Sequence, residues 1–429
     1  MIATVSVLVI VIIWSALSRP LDRRSITSAM FLATAGLVVA LIIPAVSDIE
    51  LESEVVERVA EIALVLLLFS DATRLDLRKL RHQLGWPSRL LLLGLPLTIV
   101  AGAAVGTLLF PGMALASVVL LAIMLAPTDA ALGHRVISDT EVPARVRQAL
   151  DVESGLNDGL AVPLFLVALS IANAELKGGV TTAVLSAMGA QIGWGILGGA
   201  VGGCFGALAF HLADSRGWIA SEWRQILPLA SAILAFTVAD GLGGSGFIAA
   251  FVGGILFGRL AGPASTTTTL FAEEAGEVFA AITWITFGGV VFLIAAPHIT
   301  WQIIVYALLS LTVVRMLPVF IVMAGSGARM PTKAFIGWFG PRGLASLVFV
   351  LIALERGIPE QATVLTTVVV TIALSIVLHG LTSVPLVGVY RKWYAAQAAS
   401  DPDSEESVNT VLPRLRRQFS ARFSRADGQ

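Results

Sequence analysis

The stretch VVLLAIMLAPTDAALG, residues 118–133, is an apolar run that a proline, a threonine and an aspartate interrupt. A second stretch, FIGWFGPRGLASLVFVL at 335–351, is interrupted by glycines, a proline and an arginine. Proline removes a helix hydrogen bond and glycine relaxes the backbone, so both stretches are predicted to unwind locally. In a membrane, unwound backbone is tolerated only where protein or a water-filled cavity surrounds it. If the chain spans a membrane, both breaks must therefore lie inside a helical bundle.

Composition indicates that the chain does span a membrane. Of its 429 residues, 56% are hydrophobic and 13% are charged, and apolar runs recur along the chain. A helix needs roughly 20 apolar residues to cross the bilayer, and these runs lack the alternation of barrel strands. The predicted fold class is an all-α polytopic membrane protein. The net charge of −1 gives no basic face, so nucleic acid is not predicted as a partner.

Hydropathy and the positions of proline, glycine and charged residues divide the chain into about thirteen apolar segments. The segments span about 2–18, 25–45, 56–72, 87–110, 113–133, 146–172, 184–212, 222–240, 244–260, 270–296, 300–324, 331–354 and 360–388. We predict one transmembrane domain over 1–390. A short cytoplasmic tail over 391–429 is predicted to be disordered or bound to the membrane surface.

The basic residues predict the orientation. Lys and Arg in the loops and at the segment ends fall almost entirely on alternate loops and in the tail, and the opposite side holds only Arg58, Lys177 and Arg356. Cytoplasmic loops carry the excess of basic residues. We therefore predict a multi-pass protein of the cell membrane, with its N-terminus outside and its C-terminus in the cytoplasm.

The two breaks also predict internal repeats. They fall in the fifth and twelfth segments, and this odd offset reverses the topology of a second copy. We predict inverted repeats over roughly 1–172 and 222–388, joined by a linker helix over 184–212. Broken helices in corresponding places of two inverted halves are the best indication in a sequence of a transporter's substrate site.

Polar residues cluster in ESGLNDGLAVPLF, residues 153–165, within the sixth segment. Asp158 lies near the centre of that segment, and an ionisable group at such a depth is functional by default. Ser154 lies one helical turn earlier on the same face. Carboxylate and hydroxyl oxygens are hard ligands that suit small alkali cations. We predict a cation site at Asp158 and Ser154, with Thr128 offering a carbonyl or hydroxyl oxygen where the fifth segment unwinds.

Glu153 and Asn157 form a second pair at i, i+4, on a different face of the segment. We predict a structural role for them: Glu153 pairs with Arg315, in the middle of the eleventh segment, and Asn157 hydrogen-bonds that pair. Removing one partner of a buried ion pair leaves an uncompensated charge. A substitution here could therefore abolish transport without removing an ion ligand.

Charged residues also occur at the breaks and near the segment ends. Half-helix ends carry partial charges, which Arg342 is predicted to neutralise. For Asp129, that role and one as a secondary or water-mediated ion ligand both stay open. Asp71, at the cytoplasmic end of the third segment, is either an interfacial carboxylate or part of the ion's access route or site. Four further acidic residues near segment ends are predicted to be solvated: Asp240, Glu273, Glu274 and Glu277.

Several of these stretches resemble the signatures of NhaP-type sodium/proton antiporters, in the monovalent cation:proton antiporter superfamily. They are APTDA (126–130), ESGLNDGLAVPLF (153–165), GSGFIAAFVGGILFG (244–258) and GWFGPRGLASLVF (337–349). The similarity runs in order over nearly the whole transmembrane chain. It implies inverted repeats, crossed unwound helices, and a homodimer in membrane lipid whose core domain moves against a dimerisation domain.

The resemblance also implies roles for single residues. Asp158 matches the shared site for cation and proton, Ser154 matches a ligand, and Thr128 matches a ligand through its backbone. Asp129 matches the acidic residue of the Pro-Thr-Asp motif. The family's structural cluster matches Glu153, Asn157 and Arg315.

One departure from the family pattern lies at the end of the third segment. Many relatives carry a Glu directly after the LLF that ends helix three, whereas this chain has Ser70 there and the acid follows as Asp71. The shift rotates the carboxylate by about 100° on a regular helix. Either Asp71 substitutes through a local backbone adjustment, or the site has one ligand fewer. The preference between Na⁺ and K⁺ therefore stays open.

Residues and resemblance together predict a secondary active transporter that exchanges Na⁺ or Li⁺ for H⁺. Asp158 would hold either a proton or a cation. Asn157 is neutral where electrogenic relatives have a second Asp, which predicts electroneutral, one-for-one exchange. A K⁺/H⁺ antiporter of the same fold is the nearer alternative.

Other classes of protein fit the sequence less well. A gated cation channel is a remote alternative, because channels favour a continuous pore over doubly broken helices. An intramembrane hydrolase could use paired acids, but Asp129 and Asp158 lack a recognisable catalytic motif. The chain is therefore not predicted to be an enzyme, and no cofactor is predicted.

Overall fold

The computed structural model describes residues 2–43, 54–75, 85–129, 132–176, 182–221, 223–262, 268–401 and 404–407. These residues form helices, and no strand occurs among them. The helices are α1 Ile2–Arg23, α2 Ser28–Ile42, α3 Glu54–Thr73, α4 Gly85–Leu109, α5 Leu115–Met124, α6 His134–Ser138, α7 Ala144–Leu176, α8 Thr182–Ser215, α9 Ile226–Gly241, α10 Gly246–Ala261, α11 Leu270–His298, α12 Trp301–Val322, α13 Met330–Trp338, α14 Leu344–Arg356 and α15 Gln361–Ser400.

The helices follow the predicted segments in order. Seven of the described helices are long and apolar enough to cross a membrane, and α2, α5, α9 and α10 are apolar but shorter. The predicted all-α polytopic class is confirmed. In the fifth segment only α5 is helical, and the short helix α6 begins directly after its predicted end at residue 133; the twelfth segment divides into α13 and α14.

Both predicted breaks are present. Residues 125–129 are not helical after α5, and residues 339–343 are not helical between α13 and α14. The two breaks lie against each other, because the Asp129 N–H donates a hydrogen bond to the Pro341 carbonyl at 2.8 Å. Backbone groups that lose their helical partners at one break are thus partly paired across to the other.

The helices pack mainly within two groups. One group contains α1 to α3 and α8 to α11, and the other contains α4, α5, α7 and α12 to α15. Corresponding segments of the two predicted halves lie in the same group, as a repeat requires, although the internal symmetry stays a prediction. Helix α7 also contacts α3, α8 and α10. The polar residues of α7 therefore lie on a helix at the boundary between the groups.

Aromatic contacts fix α7 on both sides. Phe165 stacks on Phe349 of α14, with ring centroids 4.2 Å apart and planes 11° apart. On the other side, a Cβ at Gly159 would lie 2.3 Å from the ring of Phe251 in α10. Only a residue without a side chain admits the Phe251 ring so close to the α7 backbone. These contacts set the rotation of α7 about its axis.

The C-terminal part of the chain departs from the prediction. Helix α15 continues to Ser400, well beyond the end predicted at residue 388, and Glu405–Ser407 forms a 3₁₀ turn. A disordered tail is therefore wrong for the residues up to 401 and for 404–407, whereas binding to the membrane surface stays a prediction. The remainder of the tail, residues 402–403 and 408–429, lies outside the described residues.

The 3₁₀ turn docks on the N-terminal ends of two helices. The Glu406 carboxylate, only 1% exposed, accepts hydrogen bonds from the Arg329 N–H at 2.8 Å and the Thr332 hydroxyl at 2.9 Å, at the start of α13. Glu405 pairs with Arg145 at the start of α7. Arg329 supplies no side-chain cap for α13. An acid from the tail provides that cap, which favours docking because a helix N-terminus attracts negative charge.

Candidate functional site

Thr128 joins the break after α5 to the polar turn of α7. Its hydroxyl oxygen lies 3.0 Å from Ser154 Oγ and accepts a hydrogen bond from Asn157 Nδ2 at 2.7 Å. All three side chains are buried. The unwound backbone thus brings an oxygen-bearing residue of one segment against two polar residues of another. The structure brings Thr128 and Ser154 together as the sequence predicts, and their role as ion ligands stays a prediction.

Asp158 lies one turn beyond Ser154 on α7. The residue is partly buried, and its Oδ1 atom is buried with no hydrogen-bond partner among the described residues. The carboxylates of Asp129 and Asp71 are near enough for their charges to act on Asp158. A buried carboxylate oxygen without a partner is unfavourable unless a proton or a cation neutralises it. The geometry therefore suits Asp158 to hold one positively charged species.

Arg342 supports the break after α5. Its fully buried guanidinium donates through Nη1 to the carbonyls of Ala126 at 3.0 Å and Pro127 at 3.2 Å. These carbonyls follow the C-terminal end of α5, where the helix carries partial negative charge. Arg342 thus makes the contact that neutralisation of a half-helix end requires, and that role stays a prediction. The same contact fixes the backbone immediately before Thr128.

Asp129 makes the matching contact at the other break. Its Oδ2 accepts a hydrogen bond from the Leu344 N–H at 2.9 Å, at the partly positive N-terminus of α14. Its Oδ1 accepts from the Leu132 N–H at 3.3 Å. The architectural role for Asp129 therefore has direct structural support. A further role as an ion ligand stays a prediction.

The two breaks, residues 125–129 and 339–343, form what we call the crossing. Substitution of Gly343 by Ala should destabilise the crossing, because a Cβ there would lie 1.8 Å from Asp129 Oδ2. Asp129 is held by hydrogen bonds and cannot retreat freely, so we expect a loss of about 1–3 kcal/mol. The control is Gly337→Ala in α13, where a Cβ would meet its nearest neighbour, Met316, at 3.4 Å. Alanine there should be neutral or slightly stabilising. Melting temperatures of the purified variants test this contrast, and equal values would contradict it.

Glu153 and Arg315 form the predicted ion pair. The pair is bidentate, with Nη1 to Oε1 at 2.5 Å and Nη2 to Oε2 at 2.8 Å, and both side chains are buried. The prediction that Asn157 hydrogen-bonds this pair is wrong. The Arg315 fork already engages both Glu153 oxygens, and the break brings the Thr128 hydroxyl within reach of the Asn157 amide instead.

Asp71 faces α7 from the end of α3. A Cβ at Gly155 would lie 3.9 Å from Asp71 Cβ, and Arg74 lies 3.9 Å from the Asp71 carboxylate. Ser70, where relatives carry Glu, is buried, and its hydroxyl has no hydrogen-bond partner among the described residues. Among the acidic residues of α3, Asp71 is therefore nearest in sequence to position 70, where relatives carry Glu, and it also lies against α7.

Arg74 also pairs with Glu273, at the start of α11. The prediction that Glu273 is solvated is wrong, since the residue is 5% exposed, and the reason is this partner on a neighbouring helix. The other acidic residues predicted to be solvated are exposed: Asp240, Glu274 and Glu277.

Two residues near the breaks were not predicted from the sequence. Ser375 and His379 of α15 are buried, and Ser375 Oγ accepts a hydrogen bond from the Arg342 backbone N–H at 2.7 Å. The available signal was their i, i+4 spacing, which puts two polar side chains on one face of an apolar helix.

The crossed breaks, with a buried carboxylate beside them, define a polytopic helical membrane protein of the secondary-transporter type. The chain belongs to the family described as sodium/hydrogen exchanger, transmembrane, whose model matches residues 5–388.

Individual relatives are more distant. The chain is 26% identical over 325 residues to the Na⁺/H⁺ antiporter ApNhaP of Aphanothece halophytica, covering 73% of this chain and 59% of that protein. It is 24% identical over 360 residues to the K⁺/H⁺ antiporter NhaP of Alkalimonas amylolytica, covering 82% of this chain and 59% of that protein. The chain thus spans less than two thirds of the length of these two relatives.

A solved structure shares the fold. The sodium proton antiporter MjNhaP1 from Methanocaldococcus jannaschii, determined at pH 8, superposes with a TM-score of 0.73 at 18% sequence identity. The superposition covers 91% of this chain and 99% of that one. At this identity the likeness concerns the fold alone.

Proposed function

We propose that this protein is a secondary active transporter that exchanges Na⁺ or Li⁺ for H⁺, one for one and without net movement of charge. The observation that carries the proposal is the buried Oδ1 of Asp158, which has no hydrogen-bond partner among the described residues. It lies on the same helix face as Ser154, whose hydroxyl contacts that of Thr128. A carboxylate with two hydroxyls nearby offers the hard oxygen ligands that a small cation requires.

Competition at Asp158 couples the two ions. A bound proton neutralises the carboxylate, and a bound cation does the same with help from Ser154 and Thr128. The two cannot occupy the site together. The empty carboxylate carries a charge that is costly to move through a low-dielectric bundle. Only the loaded forms therefore change access between the two sides, which makes the protein an exchanger and prevents a leak.

The neighbouring polar residues support electroneutral exchange. Asn157 is neutral and its amide donates to Thr128. The Asp129 carboxylate is engaged by the N-terminus of α14 through the Leu344 N–H. Asp158 is then the one carboxylate of the crossing that alternates between proton and cation. Asp71, whose charge acts on Asp158, would attract the cation to the site.

Motion between the two helix groups would provide alternating access. Helix α7 contacts members of both groups, and Asp71 on α3 faces α7 across their boundary. A shift of one group against the other would open Asp158 to one side at a time, with the crossing carried as a rigid unit.

Further features of the transporter rest on the sequence and the family. We propose a homodimer embedded in membrane lipid of the cell membrane, with the N-terminus outside and the C-terminus in the cytoplasm. The distribution of basic loops supports this orientation. The transported ions are substrates, and the proposal involves no cofactor, no nucleic acid and no enzymatic step.

K⁺/H⁺ exchange is the second candidate. It is favoured by the similarity to the K⁺/H⁺ antiporter of Alkalimonas amylolytica. The replacement of the family's Glu by Ser70 bears on the same question, because it changes the charged groups near the ion.

Dissipation of a pH gradient in proteoliposomes tests the proposal. NaCl, LiCl or KCl is added in turn, with the membrane potential either clamped or free. We expect Na⁺ and Li⁺ to drive proton flux at a rate that the clamp leaves unchanged. A response to K⁺ alone would establish the second candidate. Cation currents without proton flux would identify a channel and contradict the proposed role of Asp158.

A further inference from the structure

We propose that Ser375 and His379 of α15 are positioning residues: together they bridge the break between α13 and α14 and thereby hold the cation ligands in place. The inference rests on the proposed function, because its effect is expressed through cation binding near Thr128. It assigns a task to a buried polar pair that does not touch the ion site directly.

His379 secures the α13 side of the break. The side chain is 2% exposed, and its Nε2 lies 2.8 Å from the carbonyl oxygen of Trp338, the last residue of α13. The imidazole also stacks on the Trp338 ring, with centroids 5.1 Å apart. A carbonyl at a helix C-terminus lacks its helical donor. For Trp338 the Gly340 N–H donates at 2.8 Å, and the His379 N–H supplies a second donor.

Ser375 secures the other side. Its Oγ accepts a hydrogen bond from the Arg342 backbone N–H at 2.7 Å and lies 3.3 Å from His379 Nδ1. Nδ1 also lies 2.9 Å from the Ser375 carbonyl oxygen, so the two tautomers of His379 serve different partners, and the contact with the Trp338 carbonyl requires the proton on Nε2. With the proton on Nε2, His379 donates to Trp338, and its Nδ1 can accept the Ser375 hydroxyl proton. The Ser375 oxygen then accepts from Arg342.

The contacts from Trp338 through His379 and Ser375 to Arg342, here called the relay, span the break between α13 and α14. In an uninterrupted α-helix the N–H of residue i bonds to the carbonyl of residue i−4, so the Arg342 N–H would bond to the Trp338 carbonyl. The break separates these two groups, and the Ser375–His379 pair is inserted between them. Ser375 supplies the acceptor for the Arg342 N–H, and His379 adds a second contact to the Trp338 carbonyl, which also accepts a hydrogen bond from the Gly340 N–H at 2.8 Å. The geometry of the gap is thus set by two side chains of a third helix.

The relay reaches the ion site through Arg342. Its backbone is fixed by Ser375, and its guanidinium holds the Ala126 and Pro127 carbonyls. Pro127 immediately precedes Thr128, whose hydroxyl meets Ser154. Loss of the relay should let Arg342 shift and should misplace Thr128. Asp158 lies on α7, outside this chain of contacts, so its exchange of protons should change less.

The kinetic test compares four variants with the wild type. We expect His379→Ala and Ser375→Ala to raise the KM for Na⁺ by about tenfold, as the loss of outer-shell support for a metal site typically does. The kcat should change by less than about twofold, because the loss is in cation binding. His379→Gln should restore the KM, since its amide can donate to one neighbour and accept from the other. The control is Thr371→Val, a buried residue of α15 whose hydroxyl donates to the Thr367 carbonyl.

The outcomes separate this inference from the proposed function. A wild-type protein without Na⁺-dependent proton flux would overturn the proposed function and the inference with it. Normal wild-type exchange combined with an unchanged KM in Ser375→Ala would overturn the inference alone. A fall in kcat and melting temperature at unchanged KM would mean a structural role only, and failure of Gln to restore the KM would exclude the hydrogen-bond relay. If His379→Ala does not fold, Ser375→Ala decides, because it leaves the contact between His379 and Trp338 intact.

Discussion

Replacement of Asp158 by Asn is expected to abolish Na⁺-driven proton flux, with a fall of at least about 100-fold, equivalent to about 2.7 kcal/mol. The amide has the shape of the carboxylate, but it neither releases a proton at working pH nor carries the charge that binds a cation. The neighbouring groups of the crossing should not take over, because Asp129 is engaged by the Leu344 N–H of α14 and Asn157 is neutral. The proteoliposome assay of proton flux measures the effect directly.

The same variant should remain folded. Asp158 Oδ1 has no hydrogen-bond partner among the described residues, so the exchange for Asn breaks no contact of that atom and removes a charge that the bundle must accommodate. We expect a melting temperature equal to or above that of the wild type. Na⁺ should stabilise the wild type by mass action, by about 2.7 kcal/mol at 100 times the Kd, and so raise its melting temperature. It should not change that of the variant.

Asp240→Asn provides the matched control. Asp240 is an exposed carboxylate at the C-terminal end of α9, so its removal should leave both proton flux and the Na⁺-dependent stabilisation intact. Persistent exchange in Asp158→Asn, together with normal exchange in the control, would mean that another group carries the proton. The competition mechanism would then be abandoned.

The sequence predicts the parts of the site that depend on spacing along one helix. Pro127 and the glycines around Arg342 predict the breaks, because their effect on the backbone is local. The i, i+4 spacing of Ser154 and Asp158 predicts a shared face, because the helical period is fixed. The pairing of Glu153 with Arg315 was predictable because a charge buried in a bundle needs a counter-charge, and few basic residues lie at that depth.

The remaining contacts depend on how segments are rotated and placed against one another. Nothing in the spacing reveals that Asn157 turns to Thr128 and away from Glu153, because the break decides where the Thr128 hydroxyl lies. Glu273 is buried only because α11 brings it to Arg74 of α3. The docking of Glu406 depends on an uncapped helix far away in sequence. Local propensity carries no information on such long-range contacts.

Glu153→Ala and Arg315→Ala should each be strongly destabilising, by about 3–5 kcal/mol, because each leaves a buried charge without its partner. The pair joins α7 to α12. Arg315 also packs on the break of the twelfth segment, where a Cβ at Gly340 would lie 2.4 Å from Arg315 Nε. A structural effect of this size should lower the amount of folded protein and its melting temperature before it changes ion affinity.

A double substitution separates the pair from its single charges. In Glu153→Gln with Arg315→Gln no uncompensated charge remains, so the double variant should lose less stability than the sum of the single alanine variants. The exposed pair of Arg329 and Asp401, at 2.8 Å, is the control for an ion pair in solvent. Its removal should cost about 0–1 kcal/mol.

Unfolding of the purified variants in mixed micelles measures these differences, and transport assays on the folded fraction separate stability from function. If the double variant loses as much stability as the two single alanine variants together, Glu153 and Arg315 act independently in spite of their bidentate contact. A loss at the buried pair as small as that at the exposed pair would mean that water or another charge reaches Glu153 in the folded bundle. The structural role would then have to be replaced by a direct one, since Glu153 directly precedes the proposed ligand Ser154 on α7.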